Sequence, residues 1–260
     1  MHAAPVTSPV TLWRSSPVAL VLGRDDVHVW RAMLNQPPSQ IRHLHQNLAA
    51  DEQAKAARFY FENDRKHFIV ARGVLRAILG RYLNRAPECL SFCYSSYGKP
   101  ALTGEPDLNT IRFNLSHSYG IALYAVTRGR DVGIDLEHIR SGLASAQIAG
   151  RFFSPREIAM LQAFPAEMQN QAFFRCWTRK EAYIKARGEG LSLPLDQFDV
   201  SLDPGEPGIV VGASRDPSEA SRWSLRELTP APGYAAAVAV ERHDWRLTCW
   251  QWQDPMQPSV

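Results

Sequence analysis

Long hydrophobic runs are missing from this sequence. Its longest apolar stretches, Val18 to Leu22 and Tyr234 to Val240, have the length of strands, far short of the roughly 18 residues a membrane-spanning helix needs. Met1 to Arg14 has no basic start running into an apolar core, so no secretory signal is expected and the expected location is the cytoplasm. Cysteine is scarce: Cys89, Cys93, Cys176 and Cys249 are read as reduced thiols of a cytosolic protein. A zinc site is not expected, because the one close histidine pair, His43 and His45, has no cysteine pair beside it. An excess of one charge is also lacking. Lys+Arg 29 against Asp+Glu 26 leaves +3, and no dense basic stripe interleaves with aromatics, which argues against nucleic acid as partner. So small an excess suits a local basic pocket for a phosphate or a mildly basic face for an acidic partner. At 45% hydrophobic and 21% charged residues, the chain is neither a disordered tail protein nor a coiled coil.

The 260 residues do contain strong local signals. Residues 1 to 16 read as a loose leader, and Val18–Leu22 and Val27–Trp30 as strands. Gln40–Ala49 can form a helix, and Asp51 is a plausible cap for a short helix through Arg58. A longer helix spans Asn63 to Asn84, where Phe68, Ala71, Leu75, Ile78 and Tyr82 recur at spacings of three and four. Strands follow at Ile111–Leu115, Ile121–Thr127 and Val132–Glu137, with Arg128-Gly129-Arg130-Asp131 turning the last two into a hairpin. Ser154-Pro155-Arg156-Glu157 has the cap, proline and glutamate of a helix start. Ala166–Arg187 reads as a long helix ended by Gly188. Phe198–Leu202, Ile209–Gly212, Trp223–Leu228, Tyr234–Val240 and Trp245–Trp252 complete the strands. Each half has a long helix followed by strands, which gives an α+β chain of two similar halves, 1–128 and 129–260, without a residue-level repeat.

Four segments carry candidate chemistry. In Gly133-Ile134-Asp135-Leu136-Glu137, strand alternation points Val132, Ile134 and Leu136 one way and Asp135 and Glu137 the other. The two acids stand about 6.6 Å apart along the strand and can converge on one hard cation, or simply face solvent. In Trp177 to Lys185, helical spacing puts Trp177, Glu181, Ile184 and Lys185 on one side. Glu181 and Lys185 are then a helix-stabilising pair, or a third carboxylate and a phosphate contact. Asn114-Leu115-Ser116-His117-Ser118 offers donors to a phosphate, or is a polar turn. It is not a nucleophile elbow, since no G-x-S-x-G is present. Tyr97-Gly98-Lys99-Pro100 is a turn that brings a point charge close to backbone.

The combination is more telling than its parts. A match to Gly-aliphatic-Asp-aliphatic-Glu arises by chance on the order of once in a thousand chains this long, and Trp-x-x-Lys-Glu-Ala is similarly rare. With Arg151-Phe152-Phe153-Ser154 and Gly188 to Pro194, these stretches give a sequence that resembles the 4′-phosphopantetheinyl transferases of the surfactin-synthetase-activating (Sfp) type, over roughly residues 50 to 240. The resemblance implies two α+β halves related by a pseudo-twofold axis with the site in the cleft between them. It implies magnesium-dependent transfer of phosphopantetheine from coenzyme A to a serine of an apo acyl or peptidyl carrier protein, by a monomer. Carried over residue by residue, Asp135, Glu137 and Glu181 match the magnesium ligands, and Glu181, Lys185 and His117 the catalytic groups. Lys55, Arg65, Gly98, Lys99, Pro100, Ser116, His117 and Lys185 match contacts to coenzyme A, with Lys55 or its basic neighbours on the 3′-phosphate. Two other readings stay open on the residues alone: a magnesium-dependent phosphodiesterase using the same acids, and a non-catalytic carrier-binding module.

Overall fold

The computed structural model describes residues 11–104, 110–141, 145–190, 193–202, 208–213 and 221–253, the backbone alone for 208–213. The proline-bearing tail from residue 254 and part of the Gly188–Pro194 segment lie outside them.

Strand β1 (Trp13–Ser15) precedes β2 (Asp26–Met33), helices α1 (Pro38–Gln46), α2 (Ala50–Ala57) and α3 (Glu62–Leu83), then strands β3 (Phe92–Tyr94), β4 (Pro100–Leu102), β5 (Ile111–Ser118) and β6 (Ile121–Arg128). Next come β7 (Val132–His138), α4 (Ser145–Phe152), α5 (Pro155–Ala163), α6 (Ala166–Arg187), β8 (Phe198–Val200), β9 (Gly208–Ala213), β10 (Trp223–Leu228), β11 (Tyr234–Glu241) and β12 (Arg246–Gln251). The run from β2 to β6 has the same order as the run from β7 to β11: strand, three helices, four strands. Both long helices have 22 residues and end on a left-handed residue, Asn84 (φ 50°) and Gly188 (φ 71°). Strand order repeats as well. One sheet is β1-β12-β2-β6-β5 and the other β7-β11-β10-β9-β8, so β2-β6-β5 corresponds to β7-β11-β10.

Strand alternation sorts the apolar residues into three cores. Trp30, Ala32, Tyr124 and Val126 face α3. Ala235, Ala237 and Ala239 face α6. Val27, Val29, Leu123 and Ala125 of the first sheet meet Val132, Ile134, Leu136, Val238 and Val240 of the second between them. The layers run helix, sheet, sheet, helix.

Each half has a buried carboxylate that ties a short helix to the long one. Glu52 accepts the Ala49 N–H (3.0 Å) and pairs with Arg72 and Arg76 of α3. Glu157 accepts from Ser154 N (3.0 Å) and Val200 N (2.9 Å) and holds the Lys180 ammonium of α6 at 2.6 Å, both side chains fully buried. A buried charge left without its partner costs several kcal/mol, so both clusters fix helix placement.

Several sequence expectations change. The 128–131 turn makes no hairpin: β6 pairs with β2 and β5 while β7 pairs with β11. The apolar sides of β6 and β7 stack across the shared core instead, and the turn carries the chain from one sheet to the other. Val18–Leu22 forms no strand, and Val18 and Val21 lie open to solvent. Within the supposed leader, Trp13–Ser15 does form a strand, parallel to β12. Asp51 lies inside α2, whose cap position is Ala49. The C-terminal strand β12 joins the first sheet, beside β2.

Gly133 marks where α6 crosses β7. A Cβ there would lie 2.1 Å from the Ala182 carbonyl oxygen and 2.3 Å from the Ala186 nitrogen, both backbone atoms of α6. Gly133→Ala is therefore expected to lower stability by about 1–3 kcal/mol through overpacking. It should also lower activity by shifting α6 off the strand. Urea unfolding and a rate assay on the same preparation check both.

Candidate functional site

The seat of α6 on β7 decides what meets at the edge of the second sheet. Beyond Gly133 the side chains of Asp135 and Glu137 come out on the helix side, as the alternation required. Asp135 is buried, and its Oδ1 accepts from Lys185 Nζ of α6 (2.6 Å) and from Ser116 Oγ of β5 (3.0 Å). Lys185 Nζ also donates to Ser116 Oγ at 3.1 Å, which closes a three-membered contact. The second oxygen of Asp135, Oδ2, is buried without a hydrogen-bond partner. Ser118 Oγ donates to Glu137 Oε2 at 3.2 Å.

The acids are electrostatically coupled. Burial pushes the Glu137 carboxyl above its ordinary range, and the charge of Asp135 pushes it further. Glu181 rises for the same reasons, burial first and then Asp135 and Glu137, with Lys185 opposing. Lys185 opposes both shifts and Arg140 opposes that of Glu137, yet both carboxyls stay raised. Among the described residues no three His, Cys, Asp or Glu side chains are already drawn together as a metal cage. Magnesium does not require one, because it is usually held by one or two carboxylates together with substrate phosphates and water. The unpartnered Asp135 Oδ2 and the hard oxygen donors fit that ion.

A cleft of about 1000 Å³ opens beside the acids, the upper end of what small-molecule sites offer. Lys55, His67, Gly98, Pro100, His117 and Tyr119 are among its walls. A smaller cavity of about 310 Å³ shares Gly98, Pro100 and Leu115 with it and reaches Lys99, Glu181 and Lys185. The two connect Glu181 and Lys185 to the Lys55 end; Asp135 and Glu137 line neither, though Ser118, which bonds Glu137, lines the larger one. His117 stays open to the cleft, yet desolvation by its walls, then the charges of Lys185 and His67, hold the imidazole below its usual pKa.

Most of the expected residues therefore converge, with three departures. Arg65 does not line the cleft; it pairs with Glu62 at 2.7 Å on the exposed side of α3. The Lys99 ammonium turns away to donate to the Ala186 (2.8 Å) and Val132 (3.2 Å) carbonyls, at the seam of α6 and β7. Ser116 is engaged by Asp135 and Lys185. Sequence reasoning gave no site role to His67, which lines the cleft and bonds Asn35 Oδ1 at 2.8 Å, and it read Asn114 and Ser118 only as part of a donor-bearing segment, without their partners on β7. Asn114, Ser116 and Ser118 alternate along β5, a pattern that marks one strand face. Lys180, inside the Trp-x-x-Lys-Glu-Ala run, serves the buried Glu157 and not the site.

Burial pushes the Lys99 pKa down to about 8 from an ordinary 10.5. The fold thus favours the neutral amine. Between those values the unfolded chain holds more protons, so this group makes stability rise with pH across that window. Relative to wild type, Lys99→Met should gain stability as pH falls from 10 to 7. Denaturation of both proteins across that range tests the sign.

A family model described as "4'-phosphopantetheinyl transferase superfamily" matches residues 131–239, and one described as "4'-phosphopantetheinyl transferase, N-terminal" matches residues 30–128. A 4'-phosphopantetheinyl transferase named HetI from Nostoc sp. is 42% identical over 92% of this chain and 98% of its own length. The 4'-phosphopantetheinyl transferase Sfp of Bacillus subtilis is 32% identical over 76% of this chain and 84% of its own. A mouse L-aminoadipate-semialdehyde dehydrogenase-phosphopantetheinyl transferase is 28% identical over 76% and 68%. With a relative of this identity matched along nearly its whole length, and the coupled carboxylates seated beside a nucleotide-sized cleft, this chain belongs to the 4'-phosphopantetheinyl transferase superfamily.

Proposed function

We propose that the cleft binds coenzyme A between the halves 1–128 and 129–260, and that the chain works in the manner of the Sfp type. Phosphopantetheinyl transfer from coenzyme A to a carrier protein is the activity of the chain. The observation that carries the site assignment is the Lys185–Ser116–Asp135 contact, electrostatically coupled to Glu137 and Glu181, with Lys185 and Glu181 lining a small cavity that adjoins the cleft of Lys55 and His117.

Transfer requires the acceptor serine oxygen to attack the phosphorus bearing the pantetheine arm. The bond to the bridging oxygen breaks and adenosine 3′,5′-bisphosphate leaves. Such reactions depend on alignment and charge neutralisation. Lys185, held by Asp135 and Ser116 with its side chain partly open to the small cavity, is placed to neutralise the leaving phosphate. His117 lies next to that charge, and its neutral imidazole can donate a hydrogen bond to a phosphate oxygen. Glu181, which lines the small cavity beside Lys185, is placed to accept the serine proton directly or through a water. Asp135, Glu137 and Glu181 would hold magnesium, which supplies charge neutralisation at the pyrophosphate when bound. Lys55 and the Gly98–Pro100 turn would take the 3′-phosphate and adenine end, and Lys99 would fix that turn to the second half. Arg65 would bear on the 3′-phosphate only from the cleft's outer margin. We further propose a monomer acting in the cytoplasm on acidic helical carrier domains. The exposed free thiols of Cys89 and Cys93 suit a reducing compartment.

Incubation with coenzyme A, magnesium and a panel of apo carrier proteins, read by mass spectrometry, should add one phosphopantetheine to at least one carrier. Hydrolysis of coenzyme A without that gain would favour a phosphodiesterase. Asp135→Ala should abolish turnover at any magnesium concentration while the circular dichroism spectrum is retained. Lys185→Ala should lower kcat by about 10²–10³-fold with a smaller change in coenzyme A binding. Lys55→Ala should shrink the preference for coenzyme A over its 3′-dephospho form by roughly tenfold, about 1.4 kcal/mol. An unchanged preference removes Lys55 from the site.

A further inference from the structure

The two sheets come together where their edge strands β5 and β7 lie side by side, and no backbone ladder joins them. Side chains do the joining. Asn114 Oδ1 accepts the Ile134 N–H at 2.9 Å, and Ser118 Oγ accepts the His138 N–H at 3.1 Å. These are alternate positions of one face of β5, with Ser116 between them on Asp135. The two main-chain attachments bracket the stretch that carries Asp135 and Glu137. A slip of one residue would turn both acids to the opposite face, so pinning the backbone on either side of them sets their direction.

We propose that Ser118 is a positioning residue for Glu137, fixing the carboxylate orientation presented to the cation; this rests on the reading of Glu137 as a metal ligand. A hydroxyl has one proton to give. Because Ser118 Oγ accepts from His138 N, that proton is directed away from the backbone and onto Glu137 Oε2, at 3.2 Å. One carboxylate oxygen is thereby held. Among the described residues Oε1 has no protein partner and stays available to a cation. Ser116 treats Asp135 in the same way, donating to Oδ1 and leaving Oδ2. Each acid on β7 thus has a serine of β5 gripping one oxygen. Groups that orient metal-binding carboxylates typically change metal affinity 10–100-fold when removed.

The pair Ser118→Val and Ser118→Thr isolates the hydroxyl at nearly constant shape, and Ser118→Ala is the second hydroxyl-free variant should valine not be accommodated. Binding of Mn²⁺ to the protein with coenzyme A present, followed by electron paramagnetic resonance of the free ion over a coenzyme A blank, reads affinity without turnover. The hydroxyl-free variants should bind Mn²⁺ about tenfold or more weakly. Ser118→Thr should stay within about twofold of wild type, with a thermal midpoint close to that of Ser118→Val. Equal Mn²⁺ affinity in the Val and Thr variants, with Glu137→Gln losing the ion, would overturn the positioning role alone. Wild-type Mn²⁺ affinity in Glu137→Gln would overturn the metal-ligand reading on which it rests.

Discussion

Residue 133 can carry no side chain, because the backbone of α6 occupies the space a Cβ would need. From that contact the rest of the site follows. A helix seated directly on a strand edge brings Glu181 and Lys185 down to the level of Asp135. One turn either way would leave the lysine without its carboxylate. The alanines of β11 at 235, 237 and 239 extend the same shallow seat, since small side chains let the helix lie close. Lys99 reinforces it from the other half by bonding carbonyls on both β7 and α6.

The two runs of eight elements are built alike, and the site sits where they cease to be alike. In each, a glutamate at the start of a short helix caps that helix and receives a cation from the long one. The first half uses two arginines and the second a single lysine. These buried pairs set helix position more than they add stability, because desolvation offsets much of their attraction. Gly133, Asp135 and Glu137 belong to the second run. Ser116 and Ser118 belong to β5 of the first. Neither run holds the chemistry by itself.

The two long helices were legible to within a residue, whereas α1 starts two residues and ends three residues earlier than expected and α4 was not foreseen. The period of the apolar stripe located α3, and Gly188 located the end of α6 where a left-handed residue was required. Strand faces were legible too, so Asp135 and Glu137 emerged on the side that alternation gave them. The neighbours of each strand were not. Two consecutive strands with a glycine turn read as a hairpin, yet β6 and β7 stack through their faces, and nothing local in Val132–Glu137 distinguishes stacking from pairing. The same long-range ignorance hid the roles of Asn114 and Ser118, whose partners lie about twenty residues ahead on another sheet. The carbonyl partners of Lys99 and the buried partner of Lys180 were hidden for a related reason. A lysine in a motif looks like a ligand contact until burial shows which oxygens it meets.

The order in which the chain leaves the ribosome has a bearing on β1. Its single neighbour in the sheet is β12, formed by almost the last described residues, Arg246–Gln251. During synthesis, β2, β6 and β5 can pair early, but the Trp13 end lacks its sheet neighbour until β12 has emerged. Nascent protein would then carry an unclosed first sheet, its β2 edge bare to chaperones and to other chains until β12 is made and covers it.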